Sequence, residues 1–314
     1  MKTKQALDGL NIIELCDRFS TDDKARKHLE SVIWKDGIVC PHCQCNDQAK
    51  FSSIAANPEK KIRAGLRWCS ACSRQFTVTL NTVFESSHIP LRKWLMAWYL
   101  INSSKKGISS LQLKRILGIG SYETALFMAH RIRHALKESD FAEKLTGIVE
   151  ADECFVPVGK NDADAKRATK HAMVFTMVQR GGQARSKVMP TVNGANLKQA
   201  IRDNVELCAE VHTDMNHAYV GLEPKFTHKS VKHVAGEFTR REGENVVSTT
   251  SVESFFSLLK RGVVGTFHHV SAQHLPLYLA EFDHRHNTRK MTDGERTDVG
   301  LQKAIGKRLI YKTR

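Results

Sequence analysis

The spacing of apolar positions changes twice along this chain. Up to about residue 138 the apolar residues recur every three or four positions, the period of a one-sided helix. Leu10, Ile12, Ile13, Leu15 and Phe19 form one stripe. Ser20-Thr21-Asp22-Asp23 then reads as a stop and a new cap, and Ala25, Leu29, Val32, Ile33 and Trp34 form a second stripe. Pro90 suits a first helical position, and Leu91, Trp94, Leu95, Trp98, Tyr99 and Leu100 give a wide apolar face. Gly107 ends that helix. The run 108–136 then resembles a helix-turn-helix, with Leu111, Leu113, Ile116 and Leu117 before Gly118 and Gly120, and a second helix capped by Ser121.

From Gly147 the pattern becomes alternating. GIVEADECFVPVG reads as a strand, a charged loop follows, and the segment 171–192 reads as a hairpin about Gly181-Gly182. ANLKQAIRDNVE is an amphipathic helix, AEVHTDMNHAYVGL a strand ending near Asp214, and THKSVKHVAGEF a further short strand. The helical period returns at residues 249–261, TTSVESFFSLLKR, with Val252, Phe255, Phe256, Leu258 and Leu259 apolar. HLPLYLAEFDHRHNTRK reads as a closing helix. Strand, hairpin, helix, strand, strand, helix predicts a mixed α/β sheet with helices on its faces.

Between the two helical regions stand Cys40-Pro-His-Cys43 and Cys69-Ser-Ala-Cys72. Two such pairs close a tetrahedral thiolate site, each supplying two ligands from a tight turn. The expected metal is one structural Zn²⁺, with a rubredoxin-type iron as the chemical alternative. The alternating residues between and after the pairs predict a small sheet, hence a zinc ribbon. His42 and Cys45 are left outside the ligand set, and Cys16, Cys154 and Cys208 are expected as small buried residues. The resulting division is 1–36 N-terminal helices, 37–85 zinc ribbon, 86–140 helix-turn-helix-like region, 145–290 sheet domain and 291–314 basic tail.

Composition adds a partner. Lys and Arg outnumber Asp and Glu by 48 to 33 in 314 residues, a formal charge of +15, which points to nucleic acid. Lys114, Arg131 and Arg133 in the helical pair, Arg261, His268 and His269 after the 249–261 helix, and Arg285, Asn287 and Arg289 in the closing helix are the candidate DNA contacts. A solvated basic face or ordinary turn packing is the plain alternative for each. No apolar run reaches bilayer length, and the N-terminal segment lacks the apolar centre of a signal peptide. A cytoplasmic protein with no membrane partner is therefore expected.

Three acids carry the candidate chemistry. Asp152 lies in the first strand, Asp214 at the end of a later one, and Glu253 in the first turn of the 249–261 helix. Carboxylates gathered at one end of a sheet repel one another and favour hard divalent cations, two Mg²⁺ or Mn²⁺ ions. Such a pair clamps the attacking and leaving oxygens of an in-line phosphoryl transfer. Lys260, about two turns after Glu253, would face a phosphate. Strand alternation puts Glu150 on the face of Asp152 and Glu153 on the other, so Glu150 is a supporting acid or a solvated one.

At this point the chain resembles the insertion-sequence DDE transposases of the ISXO-like group. The similarity runs from about residue 20 to 290 through CPHC…CSAC, IVEADECFV, VHTDMNHAYVGL and SVESFFSLLKRGVVGTFHHVSAQHLPLYLAEFDHRHNTR. It implies a ribonuclease H-like catalytic domain that binds transposon ends, cleaves DNA and transfers strands into target DNA, as a homodimer or higher oligomer, in a nucleoid-associated, prokaryotic setting. By position, Asp152, Asp214 and Glu253 match the catalytic acids. The group often carries Asn three residues before the glutamate, where this chain has Thr250. The alternatives are a catalytically spent zinc-ribbon DNA binder and a ribonuclease H-like structure-specific nuclease or resolvase.

Overall fold

A computed structural model describes residues 11–138, 143–159, 170–191, 193–222, 225–232, 239–243 and 245–310. Of the charged loop anticipated over 160–171, residues 160–169 lie outside them, while Lys170 and His171 instead open a strand. The chain divides into two compact units, Met1–Leu136 with Met291–Arg314, and Lys137–Lys290.

In the first unit α1 (Ile12–Arg18) opens on a capping box between Asn11 and Glu14, and Thr21 caps α2 (Asp22–Ile33). The ribbon is a three-stranded antiparallel sheet, β1 (Phe51–Ser53), β2 (Arg67–Cys69) and β3 (Arg74–Phe76). Next come α3 (Leu91–Ser103), α4 (Ser110–Leu117) and α5 (Tyr122–Leu136). Gly118 ends α4 in the left-handed conformation at φ 58°, which glycine adopts without steric cost. Leu15, Leu29, Trp94, Trp98, Leu113 and Ile132 share one core.

The segment anticipated as a basic tail is instead α9 (Asp293–Gln302), whose Leu301 belongs to that core together with Ala304 beyond it. Arg296 Nη1 donates to the Asn102 carbonyl of α3 at 2.9 Å. The 291–314 boundary therefore does not mark a tail.

The second unit holds a five-stranded sheet in the order β6-β5-β4-β7-β8: β4 (Ile148–Val158), β5 (Lys170–Gln179), β6 (Ala184–Met189), β7 (Glu210–Asp214) and β8 (Thr227–Val231). β4, β5 and β6 are antiparallel neighbours; β4, β7 and β8 run parallel. This is the ribonuclease H-like order. Helix α6 (Gly194–Asn204) makes the crossover from β6 to β7 and packs Leu197 and Ile201 with Val149, Ala151 and Phe175. The other face of β4, with Cys154, Val156 and Val158, packs with α7 (Thr250–Gly262) and α8 (Leu275–Asn287). Val252, Phe255, Phe256 and Leu259 of α7 stand at i, i+3, i+4 and i+7 and are all buried. A hairpin unforeseen in the sequence, β9 (Thr239–Glu242) with β10 (Asn245–Ser248), leads into α7. Among the described residues no helix is long and apolar enough to cross a membrane.

Candidate functional site

The ribbon brings all four anticipated cysteines together. Cys40 and Cys72 Sγ are 3.7 Å apart, Cys43 and Cys69 Sγ 3.8 Å, and all four sulfurs lie within 4.8 Å of one another. A zinc–sulfur bond of about 2.3 Å in a tetrahedron gives a sulfur–sulfur edge of about 3.8 Å, so the cage has the dimensions of a structural zinc site. The residue after each pair, Gln44 (φ 60°) or Ser73 (φ 53°), is left-handed, which folds each Cys-x-x-Cys back on itself. Burial raises the Cys69 thiol, but hydrogen bonds from the Cys72 backbone and side chain outweigh it and bring the group down to about 7. Burial and the neighbouring thiols raise Cys40 and, to about 12, Cys72, so without an ion the cage favours a thiolate at Cys69 that the other sulfurs help to hold. His42 turns its Nε2 to the Gln75 carbonyl at 3.1 Å and stays outside the cage. Of the three remaining cysteines expected as buried, only Cys154 is; Cys16 and Cys208 are exposed.

The sheet unit brings Asp214 and Glu253 within electrostatic reach of Asp152. Glu150 of β4 is opposite His212 of β7 in the parallel register. Two residues further on, at the same end of the sheet, stand Asp152 and Asp214. Asp152 shares its face of β4 with Cys154, which packs with α7, the helix that carries Glu253. Burial raises the Asp152 carboxyl to about 7, opposed by the Glu153 N–H and assisted by the negative charges of Glu153, Asp214 and Glu253. Thr249 Oγ1 donates to Glu253 Oε1 at 2.8 Å and orients that acid. Among the described residues, only the cysteines are drawn together as a ready ligand set. Lys260 is exposed and its charge reaches Cys154, opposing the burial that raises that thiol to about 12.

Glu150 is not solvated. It is wholly buried, bound by Arg180 and by the first turn of α7. Arg180 had no signal beyond its place before the Gly181-Gly182 turn. Glu153, on the opposite face from Asp152, accepts hydrogen bonds from Asn216 Nδ2 at 2.8 Å and from Tyr219 Oη.

The candidate DNA contacts divide. Arg133 has no exposed surface, so it is not a backbone contact: it stands four residues after Ala129, on the core-facing side of α5. Lys114 and Arg131 are half-buried, and Arg261 is exposed. His268 and His269 are exposed beyond a π-helical turn, Val263–Phe267, and His268 sits at φ 57°. The His269 ring lies over Gly159, where a Cβ would come within 1.9 Å of it. The closing helix spends its polar residues on the sheet. Asn287 accepts from the Ala184 N–H at 2.7 Å and donates to the Ala184 carbonyl at 3.1 Å, acting as a one-residue partner for the edge strand β6. Arg285 pairs with Glu281 and lies over the Phe282 ring, and Arg289 donates to the Gly182 carbonyl at 2.7 Å. Asn287 and Arg285 are thus packing residues and do not stand free for DNA.

The sheet unit has a ribonuclease H-like strand order with acids at one end, and the first unit carries a four-cysteine cage. Residues 144–287 match the family described as the ISXO2-like transposase domain, and residues 20–75 match the transposase zinc-ribbon domain. Both matched stretches are thus similar to domains of transposases. It is 25% identical over 307 residues to an uncharacterized protein in transposable element ISH50 of Halobacterium salinarum, an alignment covering 91% of this chain and 98% of that relative.

Proposed function

We propose that the chain is a metal-dependent DNA transposase that binds the ends of its element, cleaves them and transfers the strands to target DNA. Asp152, Asp214 and Glu253 would hold two Mg²⁺ or Mn²⁺ ions. The observation that carries this reading is that Asp152 of β4 and Asp214 of the parallel neighbour β7 stand at one end of the sheet, on the side where β4 packs with α7, the helix that carries Glu253; burial, then the nearby negative charges, raise the Asp152 carboxyl. A site that disfavours its own ionised acids fits a cation, and carboxylate oxygens suit a hard one. Bound there, the ions supply charge neutralisation for in-line phosphoryl transfer. The chain's residues do the rest: Thr249 orients Glu253, and Lys260 offers a point charge to a phosphate. The formal charge of +15 supports DNA as the partner, and a reaction on two ends calls for at least two copies. Thr250, the departure from the group's Asn, is exposed at the start of α7, and Glu253 one turn on is the third acid in this reading.

The test is cleavage and joining of a labelled element end in Mg²⁺. Activity is expected in the native chain and its loss, by about 10³-fold or more, in Asp152→Ala, Asp214→Ala and Glu253→Ala. Undiminished activity in these variants would overturn the reading. Junction cutting without joining would favour a resolvase.

A further inference from the structure

The two acids that flank Asp152 are each tied to the element that carries one of the other two acids. Helix α7 leaves backbone N–H groups open at its start, and the Thr249 side chain does not cap them; its hydroxyl donates to Glu253. The acceptor comes instead from β4, 101 positions away. Glu150 Oε2 takes the Ser251 N–H at 2.6 Å and the Val252 N–H at 3.4 Å, and Oε1 takes the Ser251 hydroxyl at 3.1 Å. A carboxylate at this end also suits the helix dipole. Arg180 balances the buried charge, with Nε and Nη2 on Glu150 Oε1 at 3.0 and 2.7 Å. The same guanidinium holds the Val246 carbonyl (2.7 Å) and Ser248 Oγ (3.2 Å), which fixes the chain entering α7.

Glu153 serves the other side. Its Oε1 accepts from Asn216 Nδ2, and its Oε2 from the buried Tyr219 hydroxyl. Asn216 in turn donates its N–H to Asp214 Oδ1 at 3.1 Å and accepts from the Ala218 N–H at 3.0 Å. The turn that ends in Tyr219 is thereby fastened to β4 at the residue next to Asp152.

We propose that Glu150 and Glu153 are positioning residues of the divalent-metal site, Glu150 setting the start of the Glu253 helix and Glu153 setting the turn that carries Asp214. The inference rests on the reading of Asp152, Asp214 and Glu253 as metal ligands. Neither flanking acid is itself a ligand. A carboxylate has about four lone-pair sites, and those of Glu150 are filled by Arg180 and α7. Glu153 points to the opposite face of the strand. One strand therefore sets the spacing of all three ligand acids.

The experiment measures Mn²⁺ affinity of the full chain by calorimetry, with amide hydrogen exchange at 214–219 and 250–256 read in parallel. Tyr219→Phe and Glu153→Ala are expected to weaken Mn²⁺ binding by about tenfold, the usual scale for an outer partner of a ligand. Glu153→Gln keeps an acceptor for Asn216 and a partner for Tyr219, and should restore the affinity to within about threefold. Glu150→Gln should weaken binding by about tenfold and speed exchange at 251–253. If that variant does not fold, Arg180→Lys, which keeps the charge and gives up the fork, takes its place. Asn287→Ala, a stability loss elsewhere in the same unit, should leave affinity unchanged. Loss in Glu153→Gln as large as in Asp152→Asn would make Glu153 a ligand and overturn the proposal; so would neutral Tyr219→Phe and Glu150→Gln. If the native chain shows no Mn²⁺ binding that depends on Asp152, the catalytic reading itself falls, and this inference with it.

Discussion

The Sγ atoms of Cys43 and Cys69 lie 3.8 Å apart and join the two ends of the ribbon sequence. Around them the ribbon's fully buried residues are Cys40, Cys69 and Phe76, with Trp34, Ile38, Phe51 and Leu80 only partly buried against them. Two of the three fully buried residues are zinc ligands, so the ribbon has almost no core without the ion. Chelation, or Cys69→Ser, is expected to unfold residues 38–76 while leaving the helical core and the sheet unit folded, because each has a large apolar cluster of its own. Limited proteolysis checks this: new cuts should fall within the ribbon after chelation. One zinc per chain should be found by elemental analysis before it.

The Asp152 carboxyl makes stability depend on pH in a definite direction. Its ordinary value is 3.8, and burial together with the neighbouring charges raises it to about 7. Between those values the folded chain keeps a proton that the unfolded chain has released. Stability contributed by this group therefore falls as pH rises through the window, and the penalty is complete above 7. At about 1.4 kcal/mol per unit the effect is at most a few kcal/mol. Without divalent ions, Asp152→Asn should melt higher than the native chain at pH 8 and equal to it near pH 4. Mg²⁺ at pH 8 should raise the native melting temperature and leave that of the variant unmoved.

Much of this site was legible because its signals are local. Alternation in IVEADECFV assigns Glu150 and Asp152 to one face and Glu153 to the other, and the period of residues 252–259 gives the buried stripe of α7. Cysteine spacing gives the zinc cage. The features that escaped depend on distant contacts. Arg180 meets Glu150, His212 and Ser248 across separations of 30, 32 and 68 residues, and nothing near it in sequence marks it. Helix α9 carried a capping signal, Thr292 with Glu295. Its buried residues are Gly294, Arg296, Thr297, Gly300 and Leu301, so no apolar stripe announced it. Arg133 carries a charge that suggests a surface role, but its place four residues after Ala129 turns it to the buried side of α5.

Asn287 separates a packing role from a DNA-contact role. Both ends of its amide are bonded to the Ala184 backbone, and Asp283, one turn earlier on α8, accepts from Ser186 N at 2.9 Å and Oγ at 2.6 Å. Asn287→Ala should lower stability by about 1–3 kcal/mol, since it leaves the Ala184 groups without partners. It should not change DNA affinity under conditions where the variant is folded. Denaturant unfolding with a binding titration distinguishes the two roles; weakened binding with unchanged stability would restore Asn287 to the DNA surface.

DNA affinity should depend steeply on salt, and the basic residues of the helical pair should divide by exposure. Each neutralised phosphate contributes about 0.9 to the slope of log affinity against log salt. Lys114 and Arg131 retain accessible surface, whereas Arg133 has none. Lys114→Ala is expected to weaken binding evenly across sequences and to reduce the slope by about 1. Arg133→Ala should instead lower stability by about 1–3 kcal/mol through the packing lost where the wholly buried side chain stood, with the slope intact. Titrations of a labelled DNA end across a salt series, paired with melting curves, supply both readouts. A flat salt response in the native chain would remove the backbone-dominated mode of binding altogether, and a reduced slope in Arg133→Ala would show that its side chain reaches DNA in the bound state.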